Sequence, residues 1–132
     1  GGESDAHAAL KKYVACHPEL FEDFGAFGPG TMEYLLHSGD EVDVLFVNHD
    51  QLLGIEVKTA DAPAGELTRG IFQCVKYRAV LQAMQALSGE LKHVQLILVT
   101  PQVLALNQKE AARRLKVKAV QIKQQIPHTR NS

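Results

Sequence analysis

Three residues of this chain have the types and spacing to act together in one piece of chemistry, namely Asp43, Glu56 and Lys58. They lie in Val42-Asp43-Val44-Leu45-Phe46-Val47 and Leu52-Leu53-Gly54-Ile55-Glu56-Val57-Lys58, two apolar runs on either side of the polar Asn48-His49-Asp50-Gln51. That pattern predicts a β-hairpin. A symmetric turn pairs residue 48 with 51, and the same register sets Asp43 directly opposite Glu56; a one-residue bulge in the turn would shift it. Side chains alternate along a strand, so Lys58 shares the face of Glu56 while Val57 points into the core. Opposed Cβ atoms lie roughly 4.5–5.5 Å apart, and like charges there repel. Two carboxylates in such strands need a compensating positive charge, which a divalent cation with oxygen ligands supplies, with Lys58 beside it. A solvated hairpin face could also carry Glu-Val-Lys, but Asp43 interrupts a nearly continuous apolar run of the kind covered on both faces, which favours the metal.

The elements that must position these residues follow from periodicity. Residues 4–15 predict a helix with Ala6, Ala9, Leu10, Tyr13 and Val14 on its apolar stripe. His17-Pro18 breaks it, and a second short helix starts at Pro18. The segment from Phe24 to Gly30 is a Gly-rich loop. A first strand runs from Thr31 to His37 and ends in a Ser38-Gly39-Asp40 turn, where Asp40 stabilises the turn. After the hairpin and a loop from Thr59 to Gly65, a long helix reaches Leu87 and stops at Ser88-Gly89; Leu67, Ile71, Cys74, Val75, Leu81 and Met84 form its apolar side. Val94 to Val99 is a buried strand. A helix around 103–115 and a strand around 117–123 complete an α, βββ, α, β, α, β order. The expected fold class is therefore α/β, a mixed central sheet flanked by helices on both faces.

A length of 132 residues suits one domain with a real core, expected over 3–126; Gly1-Gly2 reads as an expression scar and 127–132 as a flexible tail. No apolar run approaches eighteen residues and no secretory signal opens the chain, so no membrane span and a cytoplasmic or nucleoid-associated location are expected. Cys16 and Cys74 have no motif spacing and fit buried thiols, and the six His residues lack metal-ligand spacing. The net charge of −1 is unevenly spread. Residues 1–58 hold eleven acidic and three basic residues, net −8, whereas residues 107–132 hold one acidic and seven basic residues, net +6. An acidic centre with a basic arm suits a polyanion held across a metal, although a solvated helix face explains the arm equally well.

Together, Gly39 to Asp43, Glu56-Val57-Lys58 and Gln73-x-x-x-Tyr77 on the following helix resemble the PD-(D/E)xK nuclease superfamily, with its restriction-endonuclease-like αβββαβ core, and within it the NucS-like, RecB-like and Mrr-like branches. The likeness runs from about residue 3 to residue 123, and its specificity lies in the combination of short motifs. It implies a nuclease that uses Mg²⁺ or Mn²⁺ to hydrolyse DNA phosphodiester bonds. Asp43, Glu56 and the main-chain carbonyl of Val57 would ligate the ion, Lys58 would orient or activate the attacking water, and Gln73 would hold a water or phosphate beside it. Many members carry a further acidic ligand on the first helix; Glu3 is the first candidate here, with Glu19 and Glu33 as alternatives. Arg69, Lys76, Tyr77, Arg113 and Arg114 are candidate nucleic-acid contacts. No Pro precedes Asp43, a departure from the restriction-enzyme pattern that many branches tolerate and that says nothing about substrate.

Two other functions fit the same residues. One is a nucleic-acid-binding module of this fold with weak turnover; the other is an assembly or regulatory domain of a larger protein. A homodimer would suit cutting two strands. Restriction, repair and defence roles are not separable from these residues. No Gly-x-Ser-x-Gly turn or phosphate-binding Gly loop is present, which argues against nucleophilic Ser chemistry and a dinucleotide site.

Overall fold

The computed structural model describes residues 3–123. Residues 1–2 and 124–132, which include the expected scar and tail, lie outside the described residues. Ser4 caps the first helix, α1 (Asp5–Ala15), by accepting the His7 amide hydrogen bond at 3.1 Å. A single 3-10 turn, Pro18–Phe21, follows with Pro at its first position, where no N–H is needed. Next come the strands β1 (Thr31–Leu35), β2 (Glu41–Val47) and β3 (Gln51–Val57), then the long helix α2 (Ala64–Ser88). Gly89, at φ +76°, ends α2 in the left-handed conformation that glycine tolerates best. The strand β4 (His93–Thr100), the helix α3 (Leu106–Leu115) and the strand β5 (Lys118–Gln121) complete the described chain.

The five strands lie side by side in sequence order. β1, β2 and β3 run antiparallel, whereas β4 and β5 run parallel to β3. The two parallel steps require crossovers, which α2 and α3 provide. Both pack on one face of the sheet, over Leu36, Val42, Leu45, Leu96 and Leu98. α1 and the 3-10 turn cover the other face, over Val44, Phe46, Leu53, Ile55, Val57, Ile97 and Val99. This is the expected α/β architecture. β3 and β4, sandwiched between helices, are apolar almost throughout, as double burial demands.

The hairpin turn carries no bulge. Val44 pairs with Ile55, Leu45 with Gly54, Phe46 with Leu53 and Val47 with Leu52, the register expected from the symmetric turn. Several details differ. β1 stops at Leu35 rather than at His37. α3 begins at Leu106 and β5 covers only Lys118–Gln121, both shorter than their apolar patterns suggested. Cys16 is exposed rather than buried, because it caps the end of α1, while Cys74 is buried on the inner side of α2 as expected. The buried side of α1 is rotated: Ala6 and Ala9 face solvent, and Leu10, Lys11, Val14 and Ala15 face the sheet. A charged residue, Lys11, thus occupies a stripe that apolar counting assigns to alanines, and its buried ion pairs compensate.

Phe46 is fully buried and its ring lies 5.5 Å from Phe21 and 5.8 Å from Phe27. Phe46→Ala should therefore lower stability by about 3–5 kcal/mol, measured by urea unfolding.

Candidate active site

The regular pairing of β2 with β3 stops at Val44–Ile55, one residue before the two acids. There side chains replace backbone partners. The Asp43 amide donates to Glu56 Oε1 at 3.2 Å, and the Val57 amide donates to Asp43 Oδ2 at 2.9 Å. Each carboxyl group thereby takes an N–H from the opposite strand, which offsets part of the cost of setting the two side by side. The same level is broken on the other side of β2. Met32 pairs with Val44 and Tyr34 with Val42, so Glu33, between them, stands opposite Asp43 outside the ladder. Its φ of +57° is rare for a non-glycine residue. Glu33, Asp43 and Glu56 thus form a cross-strand row of three acids.

Positive charge reaches this row from both faces. From α1, His7 Nε2 lies 3.6 Å from Asp43 Oδ2, while its Nδ1 bonds Glu3. Lys11, only 5% exposed, bridges Glu3 at 2.6 Å and Glu33 at 2.8 Å. From the α2 face, Lys58 follows β3 directly; its amide donates to the Val99 carbonyl at 2.9 Å, and its Nζ lies 3.5 Å from Glu66. Burial pushes the Glu56 carboxyl up to about 8, with the Asp43 carboxylate adding to the effect and Lys58 opposing it. The Asp43 carboxylate, ahead of Glu3 and against partial burial, holds the His7 imidazole up at about 9. A cleft of about 330 Å³ opens beside these groups, lined by His7, Lys58, Thr59, Asp61, Pro63 and Glu66.

Among the expected site residues, Asp43, Glu56, Val57 and Lys58 come together on adjoining ends of β2 and β3. Gln73 lies on α2 with its Oε1 buried and without a hydrogen-bond partner in the protein. Tyr77 is buried in the α2 core. Burial pushes its phenol up to about 12, helped by Glu56, Asp40 and Asp43, so it stays neutral near the acids. Glu3 bonds Lys11 and the far nitrogen of His7, so the imidazole ring stands between it and Asp43. Arg69 pairs with Glu66, and Lys76 pairs with Asp40 at 2.9 Å, closing the β1–β2 turn onto α2. Arg113 and Arg114 bond Glu110 on the exposed side of α3 rather than any member of the acidic row. Glu19 sits exposed on the 3-10 turn.

His7 and Lys11 were missed by sequence reasoning. The available signal was the i, i+4 series Glu3, His7, Lys11, a helical face of its own that apolar counting passes over.

No family model matches this chain, and no curated protein matches it. Solved structures do. A repair endonuclease from Pyrococcus abyssi superposes with a TM-score of 0.62 at 23% identity, over 93% of this chain and 48% of the other. A complex of EndoMS with double-stranded DNA gives a TM-score of 0.63 at 20% identity, over 98% of this chain and 48% of the other. The fold is that of these endonucleases. The chain spans about half the length of each.

The raised Glu56 carboxyl has a measurable consequence in metal-free protein. Between its ordinary value of 4.5 and about 8, the folded state keeps a proton that the unfolded state has lost, so this group's contribution to stability falls as pH rises through that window. Glu56→Gln removes the effect. In chelator, the stability of Glu56→Gln relative to the wild type should increase from pH 5 to pH 8.5, read by urea unfolding; a constant gap would contradict the assigned burial.

Proposed function

We propose that this chain is a metal-dependent nuclease domain that hydrolyses DNA phosphodiester bonds, with Asp43, Glu56 and Lys58 at its centre. The observation that carries the reading is the pair of opposed carboxylates, one of them 4% exposed, at the point where strand pairing gives way. The endonuclease fold supports it.

The donor set fits a hard divalent ion. Among the described residues no group of three or more His, Cys, Asp or Glu side chains is arranged to hold a metal ion by itself. Mg²⁺ does not require one, since it keeps several waters and binds through one or two carboxylates. Asp43, Glu56 and the Val57 carbonyl would hold it. The unpartnered Gln73 Oε1 is a buried acceptor in want of a donor, which a water in the site would satisfy. When bound, the ion would polarise the phosphate and lower the pKa of a water.

The protein's own groups do the rest. Lys58, with its side chain 14% exposed, lines the cleft, where its ammonium would offset charge developing on the phosphate. Val57, buried on the opposite face, anchors the strand so that Glu56 and Lys58 point the same way. His7 holds Asp43 from the α1 side, and Glu3 fixes the ring through Nδ1, an arrangement that orients a side chain precisely. Thr59, Asp61 and Pro63 wall the cleft in which a backbone phosphate would approach.

One observation favours the binding module with weak turnover: Glu3, the first-helix acid, is bonded to Lys11 and His7 instead of joining Asp43. A nicking and linearisation assay on supercoiled plasmid, with Mg²⁺, Mn²⁺ or EDTA, separates the two readings. The nuclease reading expects cleavage that EDTA and Glu56→Ala both abolish. Metal-independent cleavage, or full activity in Glu56→Ala, would sink it, and salt-sensitive binding without cleavage would favour the module. Lys58→Ala should keep metal binding by calorimetry and lose about 10²–10³-fold in kcat, the size expected for one group that stabilises developing charge.

A further inference from the structure

Gly70 lies in the second turn of α2, where glycine is less favourable than alanine. It is buried. A β-carbon at this position would lie 3.0 Å from Lys58 Cε and 3.5 Å from Lys58 Cγ, with Leu98 Cδ1 at 2.9 Å. The Lys58 side chain therefore runs across the bare backbone of Gly70 at its hydrocarbon end. Four residues earlier on the same helix face, Glu66 receives its Nζ at 3.5 Å. The contrast with Gly65, in the first turn of the same helix, is direct: nothing lies within 4 Å of a β-carbon there.

We propose that Gly70 is a positioning residue for Lys58. Its missing side chain leaves the slot in which the lysine stem lies, and Glu66 at the end of that slot holds the ammonium toward the cleft. Alanine at position 70 would crowd both Leu98 Cδ1 and Lys58 Cε; Leu98 is fully buried, so the flexible lysine stem is the neighbour that gives, by a few tenths of an ångström. Displacing Cε moves the ammonium with it. The consequence for turnover rests on the nuclease reading; the location of the stem does not.

The test is a double-mutant cycle in unfolding, measured in chelator, on wild type, Gly70→Ala, Lys58→Ala and the double variant. Lys58→Ala removes both atoms that the new methyl would meet on the lysine, while the Leu98 contact stays common to both backgrounds. Gly70→Ala should cost about tenfold more in the folding equilibrium constant with Lys58 present than with alanine there. In a Lys58→Met background, which keeps the stem and loses the charge, the cost should return. Gly65→Ala should show no coupling to position 58. Equal cost of Gly70→Ala in all three backgrounds, within about twofold, would overturn the proposal. In the cleavage assay Gly70→Ala should lower kcat at unchanged KM for DNA and unchanged metal affinity, and a wild-type kcat in that variant would overturn it. If the wild type cleaves nothing, the nuclease reading fails by itself, and the unfolding cycle still decides where Lys58 lies.

Discussion

Two carboxylates facing each other across adjacent strands, inside an otherwise apolar sheet, are the constraint on which the rest of the structure depends. Asp43 and Glu56 cannot both be charged there without compensation. The backbone answers first, by giving up the regular ladder at Val44–Ile55 so that each carboxylate can accept an amide of the other strand. Glu33 joins the same row from β1, outside its own ladder. Positive charge then comes from both sides: His7 and Lys11 from α1, and Lys58, just past β3, packed under α2. Much of the buried polar structure in the chain serves this one locality.

Topology makes the arrangement possible. β3 is the pivot of the sheet, antiparallel to β2 and parallel to β4. The antiparallel side brings Asp43 across from Glu56. The parallel side forces a crossover after Val57, so α2 must return over the sheet immediately beyond Lys58. Lys58 thus leaves the strand just where α2 arrives, and its stem passes beside Gly70. The cleft lies at this carboxyl end of β3, between the start of α2 and the start of α1.

Much of this was legible in the sequence because its signals are local. The hairpin register follows from a two-sided apolar pattern around Asn48-His49-Asp50-Gln51, and that alone sets Asp43 against Glu56. The stop of α2 at Ser88-Gly89 is likewise written in one residue type. The first helix was less legible. Alanines at positions 6 and 9 mimic an apolar stripe, yet small side chains gain little from burial, and ion pairing of Lys11 with Glu3 and Glu33 rotates the helix instead. That preference depends on Glu33, twenty-two residues away, so no window along the helix reveals it. For the same reason His7 was hidden: its partner Asp43 is distant in sequence. The basic residues of the C-terminal third were visible only as charge, and the structure pairs Arg113 and Arg114 with Glu110 next to them.

The central claim is that Asp43 and Glu56 form one divalent-cation site. Diffraction from crystals grown with Mn²⁺, recorded to give the anomalous signal of the ion, tests it most directly. The account predicts a single strong peak about 2.0–2.3 Å from carboxylate oxygens of both Asp43 and Glu56 and from the Val57 carbonyl oxygen, absent in Glu56→Ala. A peak elsewhere, or none between the two carboxylates at saturating Mn²⁺, would contradict it.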